Sequence, residues 1–315
     1  MPSGKKVFLK QFFVLALPIM LQQLSGTILN ICDTIMVGKI SDKAISAVTV
    51  ANKTYSIYAL FIFGISSGIM MFMSQYYGAG KIKLAKNTLK FGLQVCITIA
   101  GVFVLAIVLF PQFFIHIFVK GTEILNLGTD YIRIVETYIP AITVVDNVFD
   151  LLNVAFYGCS VASGIVIGKI LGTGDMKKAW NTSKRLIAIC LTTSITATVL
   201  ICALSGVLPR FFSLTGSVFT MATTLLIMKA MFGWTQGYSE TIYYIIRAGG
   251  DVKAVLLIDG LFMIYGPLLM STIVSYGTDW PIQIVYLCTE ATYIIKILVA
   301  TYFYRRKKWC RNLTE

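Results

Sequence analysis

Residues 172–209 read GTGDMKKAWNTSKRLIAICLTTSITATVLICALSGVLP. The second part of this stretch, Leu186–Pro209, runs for 24 residues without a charged side chain. A bilayer core ~30 Å thick is crossed by roughly 20 apolar residues in a helix, so this run reads as one crossing. Six more low-charge runs flank it: Gln11–Gly38 with Asp33, Ala44–Gly80 with Lys53, Phe91–Val119 with only His116 ionisable, Phe211–Ile246 with Lys229 and Glu240, Ala254–Thr278 with Asp259, and Trp280–Tyr304 with Glu290 and Lys296. None alternates with the period of two that a barrel strand needs, and in lipid only helices and closed barrels satisfy their own backbone. The reading is an all-α, polytopic transmembrane helix bundle. Composition agrees, since 57% of the 315 residues are hydrophobic and 13% charged, against about a quarter charged in soluble domains. A soluble enzyme is excluded.

The first part of the quoted stretch carries Lys177, Lys178, Lys184 and Arg185, and such clusters set orientation. The net charge of +13 raises the question of nucleic acid. The cations lie in short segments between apolar runs and form no water-exposed stripe, so no nucleic-acid partner is expected. With the amino terminus inside, inner segments hold 19 Lys and Arg, grouped over residues 5–10, 81–90, 169–185, 247–253 and 305–311; outer segments hold five, Lys39, Lys43, Lys120, Arg133 and Arg210. This asymmetry predicts a multi-pass protein of the cell membrane with both termini cytoplasmic. It also requires Gly121–Gly172 to cross an odd number of times. As a helix those 52 residues would extend ~78 Å, too long for one crossing and too short for three. We read a single crossing with a long interfacial or kinked entry near Pro140, for about eight spans in all. The seven cysteines are scattered and form no CxxC pair, which predicts neither a disulfide framework nor a zinc site. The first apolar run is too long for a cleaved leader and reads as a retained helix.

Gly172–Lys184 also repeats an earlier segment. Laid over Gly78–Lys90 at an offset of 94, it matches both glycines, Lys83 with Lys177, the alanine, Asn-Thr and the closing lysine. Phe110-Pro-Gln-Phe-Phe114 likewise resembles Leu208-Pro-Arg-Phe-Phe212. Both copies of the longer motif fall on the inner side, so the repeat is parallel, about an axis along the membrane normal.

With these motifs in hand, the chain resembles the multidrug and toxic compound extrusion (MATE) family. The residues that carry the likeness are Pro18 and Asp33-Thr-Ile-Met-Val-Gly38, Gln75-Tyr-Tyr-Gly-Ala-Gly80, Tyr131-Ile-Arg-Ile134, the segment Ala162–Asp175, Arg247-Ala-Gly-Gly-Asp251 and Trp309-Cys-Arg-Asn-Leu-Thr314. Family members resemble two six-helix bundles with matching motifs a full bundle apart. Here the separation is 94, so three to four helices' worth of chain is absent. The resemblance implies two partial pseudo-symmetric lobes: residues 1–145 (helices 1–4), a fused junction helix at 146–172, and a four-helix lobe at 173–315. It further implies a secondary active transporter working by alternating access, with proton- or sodium-coupled antiport of small organic, often cationic, compounds. No cofactor is expected beyond the coupling ion, H+ or Na+, and the lipid bilayer is the surrounding partner. The alternative is a truncated, non-transporting remnant or a structural membrane protein, stabilised by self-association.

Ionisable side chains within spans are costly and therefore candidates for the site. Asp33, beside Asn30 on the first helix, matches the carboxylate that the resemblance associates with ion coupling. Asp146 and Asp150 lie one turn apart and could share a proton or bind a cation. Glu240, close to Gln236 and Tyr238, is a cavity candidate. Lys229 is ~16 Å along the helix from Glu240, too far to pair with it. Glu290 and Lys296 read as non-site residues, Lys296 by snorkelling, and Asp259 as a partner of Arg247 or Lys253. His116 reads as an interface residue. No Walker A or HExxH pattern occurs, so neither ATP-driven transport, metal-dependent hydrolysis nor a bound metal is expected.

Overall fold

The computed structural model describes residues 4–38, 42–110, 129–212, 216–262, 264–278 and 280–314, and side chains for a smaller set that leaves out Asn30, 33–57 and 129–141 among others. Nine helices follow in order among the described residues: α1 Gly4–Gly38, α2 Asp42–Gly78, α3 Ile82–Leu109, α4 Thr129–Gly172, α5 Met176–Leu204, α6 Gly216–Ala248, α7 Val252–Val255, α8 Leu269–Gly277 and α9 Ile282–Arg305. A short 3-10 turn, Leu208–Phe212, follows α5. Two π-helical turns, Leu256–Leu261 and Ile264–Leu268, carry the chain from α7 towards α8. Pro267 lies in the second of them. Its missing N–H and bulky ring are poorly tolerated in a regular helix, and the wider π turn accommodates both.

Among the described residues eight segments are long and apolar enough to cross a membrane: one in each of α1 to α6, one from Val252 to Val274, and α9. The structure is therefore the polytopic helical bundle read from sequence. The long segment before the repeat resolves simply. α4 is one helix of 44 residues, and only its second half, Asn153–Gly172, has the apolarity of a crossing.

α4 is also the centre of the bundle. It packs against α1, α2, α5 and α6, and 61% of its crossing is buried, compared with 6% for α3, which packs mainly on α2. Small residues make this possible, as is usual where lipid supplies no hydrophobic drive between helices. Gly158 lies against Met20 and Ala16, Gly164 against Tyr244, and Gly168 against Ser74. Around them Ile167, Leu171, Leu186, Ile242, Ile245 and Ile246 form a fully buried core. A second cluster sits nearer the start of α4, where Val145, Phe149 and Phe156 meet Ile201, Leu225 and Leu226.

The sequence repeat has a spatial counterpart. A Cβ on Gly78 would lie 2.0 Å from the Lys169 carbonyl oxygen, and one on Gly172 would lie 2.0 Å from that of Gln75. Gln75 and Lys169 are 94 apart, as are Gly78 and Gly172. The two copies thus cross α2 on α4 about a local pseudo-two-fold axis, each glycine admitting the other copy's backbone. Each helix then turns through a glycine with positive φ, Gly80 at 73° and Gly174 at 79°. Gly250, at 73°, makes a third such turn between α6 and α7. Asp175 and Asp251 cap the helices that follow, accepting from the Lys178 N–H at 2.8 Å and the Ala254 N–H at 3.3 Å. Both satisfy amide donors that a helix start leaves open.

Residues 307–314 fold back across these turns. Trp309 donates from Nε1 to the Tyr304 carbonyl at 3.0 Å and is fully buried beside Trp180. Arg311 donates to the carbonyls of Gly249 and Gly250. The Gln75 side chain donates to the Ala248 carbonyl and accepts from the Leu313 N–H, both at 2.7 Å. The beginning of α1, the three turns and this tail therefore share one basic face.

Candidate functional site

α6 and α9 pack side by side, each ending in an arginine at the basic face. Between them lies a buried charge cluster. Lys296 on α9, only 3% exposed, donates to Asp259 Oδ1 at 3.0 Å and to Glu240 Oε1 at 3.3 Å. Asp259 comes from the π-helical turn, whose extra residue re-aims side chains relative to a regular helix. The rings of Phe262 and Tyr293 flank the ammonium at 5.7 and 5.9 Å. The buried lysine thus faces two carboxylates whose own side chains keep 26% (Glu240) and 41% (Asp259) of their surface, and such a pair persists only with good geometry and further partners.

A second cluster joins α4, α6 and α9. Lys229 pairs with Asp146 and sits 4.9 Å above the Phe149 ring. Asp150, one turn on, interacts electrostatically with both. Glu290 on α9 is 7% exposed and within the electrostatic reach of Lys229, Asp146 and Tyr286. The Tyr286 hydroxyl faces Glu290, but neither it, Glu290 Oε2 nor Asn147 Nδ2, all buried, makes a hydrogen bond of good geometry among the described residues. Each such group costs on the order of 1–3 kcal/mol. A carboxylate oxygen held in this way can take up a proton or bind a small cation, either of which satisfies it. In the Lys229 cluster three carboxylates face one lysine, so an added positive charge is favoured there; in the Lys296 cluster Arg247 also acts on Glu240.

Of the residues expected from sequence, Asp146 and Asp150 fall together in the second cluster and Glu240 in the first. Lys229 and Glu240 do not meet; each pairs with a different helix. The side chains of Asp33 and Asn30, although α1 runs through both positions, lie outside the described residues, and so does His116. Three expectations need correction. Lys296 does not snorkel but is buried between two carboxylates, Glu290 joins the Lys229 cluster, and Asp259 pairs with Lys296 and not with Arg247 or Lys253. Arg247 instead donates to the Tyr243 hydroxyl at 2.6 Å and lies 4.7 Å above the Phe63 ring. A signal for the Glu240–Lys296 pair was present: Glu240 lies seven residues before Arg247 and Lys296 nine before Arg305. On two helices ending at one face, those counts give nearly equal depth. Of the methionines, Met70 and Met73 line a cavity of about 390 Å³ with Tyr77 and Lys169, whose ammonium already sits 4.9 Å from the Tyr77 ring.

Comparison with known proteins bears on the repeat and on the site. The MatE family profile matches twice, over residues 18–146 and 137–270, so each copy of the repeat falls in its own match. The chain is 32% identical over 82 residues to the probable multidrug resistance protein NorM of Haemophilus ducreyi, and 28% identical over 86 residues to the protein of that name in Bradyrhizobium diazoefficiens. These alignments cover 26% and 27% of the chain and 18% of each relative's length. No solved structure matches significantly. Two family matches spanning residues 18–270, on a bundle with eight segments apolar enough to cross a membrane among its described residues and with paired glycine turns, make this chain a member of the MatE family of multidrug and toxic compound extrusion proteins.

Proposed function

We propose that this chain is a secondary active multidrug efflux transporter of the cell membrane. On this reading it exchanges H+ or Na+ for small organic cations by alternating access, with both termini in the cytoplasm. The observation that carries the proposal is the acid-rich cluster of Asp146, Asp150, Lys229 and Glu290, above all Glu290 on the crossing of α9, whose buried Oε2 has no hydrogen-bond partner among the described residues. A proton or monovalent cation driven by the membrane potential releases about 2.3 kcal/mol per charge per 100 mV. That is sufficient to drive moderate accumulation without nucleotide. Protonation of Glu290 or Glu240 removes one negative charge from its cluster, and loss of that proton returns the carboxylate that attracts a cationic compound; competition between proton and compound for the same charge couples their movements. Asp33 is a further candidate for the coupling ion on the family resemblance.

The test uses proteoliposomes holding a fluorescent organic cation under an imposed pH or sodium gradient. Gradient-dependent efflux that falls at least about tenfold in Glu290→Gln and in Asp33→Asn is the expected result. Equal leakage from all three preparations rejects ion-coupled export. A second reading, a structural or non-transporting membrane protein that self-associates, is supported by the small buried share of α3, 6% of its crossing. It requires oligomers in detergent together with no gradient-driven flux.

A further inference from the structure

At the basic face, the start of α1 and the first turns of α5 stand apart over the end of α4. They enclose a cavity of about 1430 Å³. Lys6 and Lys10 line it from α1, Lys169 from α4, and Lys177, Lys178 and Arg185 from α5. The one carboxylate on its wall, Asp175, is committed to capping α5 through the Lys178 N–H. The N-terminus of α5 adds its own partial positive charge. The cavity therefore selects an anion.

Its other walls identify the kind of anion. Phe8 and Leu15 of α1 and Val166 and Ile170 of α4 line the same space. Leu15 stands about 14 Å along α1 from Lys6, towards the bilayer interior, so the α1 wall turns apolar with depth, while Arg185, about two turns along α5 from Lys177, carries positive charge further in. The side is open as well, because only 17% of the α1 crossing is buried, and Val14, another lining residue, is 63% exposed. A soluble phosphate compound would engage the cationic rim and leave the apolar wall uncovered. A lipid covers both.

We propose that this cavity seats an anionic glycerophospholipid, with its phosphate among Lys6, Lys10, Lys177 and Arg185 and its chains along Phe8, Leu15, Val166 and Ile170. Basic pockets between spanning helices bind such headgroups elsewhere. Here the lipid fills the gap between α1 and α5, bridging the first copy of the repeat to the second.

The full chain in mild detergent, offered equal phosphatidylglycerol and phosphatidylcholine with identical chains, is expected to retain the anionic lipid at least about tenfold better by native mass spectrometry. Combining Lys6→Gln, Lys10→Gln, Lys177→Gln and Arg185→Gln is expected to abolish that preference. Combining Lys83→Gln, Lys86→Gln and Lys90→Gln strips charge from the same face outside this cavity and is expected to preserve it. Equal loss in both variants would reduce the effect to general attraction by a basic face and overturn the proposal. Displacement of the lipid by glycerol phosphate at equal concentration would assign the cavity to a soluble anion instead. Independently of any variant, a photoactivatable phosphatidylglycerol should label the unmodified chain within 6–15 and 166–185; labelling centred on α3 sinks the idea.

Discussion

Lys296 shows what a single side chain can hold in place. It is buried between Glu240 and Asp259, and its removal leaves two carboxylates without a counter-charge. Lys296→Met is expected to cost about 3–5 kcal/mol, read as a large drop in thermal unfolding temperature. Lys296→Met combined with Glu240→Gln is expected to recover part of that loss, which an ordinary packing defect would not. The Lys229–Asp146 pair is different. Asp146 is 51% exposed, so Asp146→Asn is expected to change stability by under about 1 kcal/mol and to act on ion binding instead. Cys310 offers a pH-dependent readout outside the spans. Burial pushes its thiol above the ordinary value, partly offset by Lys307, so the reactive thiolate is scarcer at any given pH. In a variant retaining only this cysteine, maleimide labelling should rise at a higher pH than for an exposed thiol. Arg311→Ala, which frees the tail from Gly249 and Gly250, should bring the profile back down.

At the scale of elements, the crossing of α2 on α4 rests on two glycines whose Cβ positions are taken up by backbone oxygen. Backbone cannot swing aside like a side-chain end, so Gly172→Ala must separate the helices. The expected loss is several kcal/mol, comparable to overpacking elsewhere, with Gly78→Ala giving a similar loss by the pseudo-symmetry. Gly174→Ala makes a control of a different kind: open space surrounds that Cβ, and the cost is limited to the positive φ, about 1–2 kcal/mol. Thermal unfolding of the three variants, with Gly174→Ala clearly the mildest, checks this ranking. A reversed order would mean that the two copies do not meet in this way.

At the scale of the whole molecule, the bundle has a well-packed centre at α4 and a sparsely covered edge at α3. If self-association covers that edge, crosslinks through cysteines introduced at Leu93 or Val104, both exposed on α3, should trap a dimer in membranes. Their absence would leave the edge to lipid. The basic face gathers the start of α1, three helix-to-helix turns and the C-terminal tail, so impermeant labels should reach residues 6–10 and 307–311 from the same side of the membrane.

Much of this architecture was legible along the chain because lipid imposes a one-dimensional rule. Every backbone group must bond within its own helix, so uncharged runs of sufficient length report crossings. The parallel repeat was legible for the same reason, since its turn needs glycine wherever φ is positive. The partners of charged side chains were not, apart from the matching depth of Glu240 and Lys296 on their two helices. Glu240, Asp259, Glu290 and Lys296 each look isolated within an apolar run, and local spacing along one helix shows none of their contacts. Those contacts join α4, α6, α9 and a π-helical turn, and they depend on helix rotation and on an extra residue in that turn, neither of which hydropathy records. The Gly78–Lys169 and Gly172–Gln75 approaches likewise exist only once two distant segments are brought together, because burial of a small residue is a property of the pair and not of either strand of sequence.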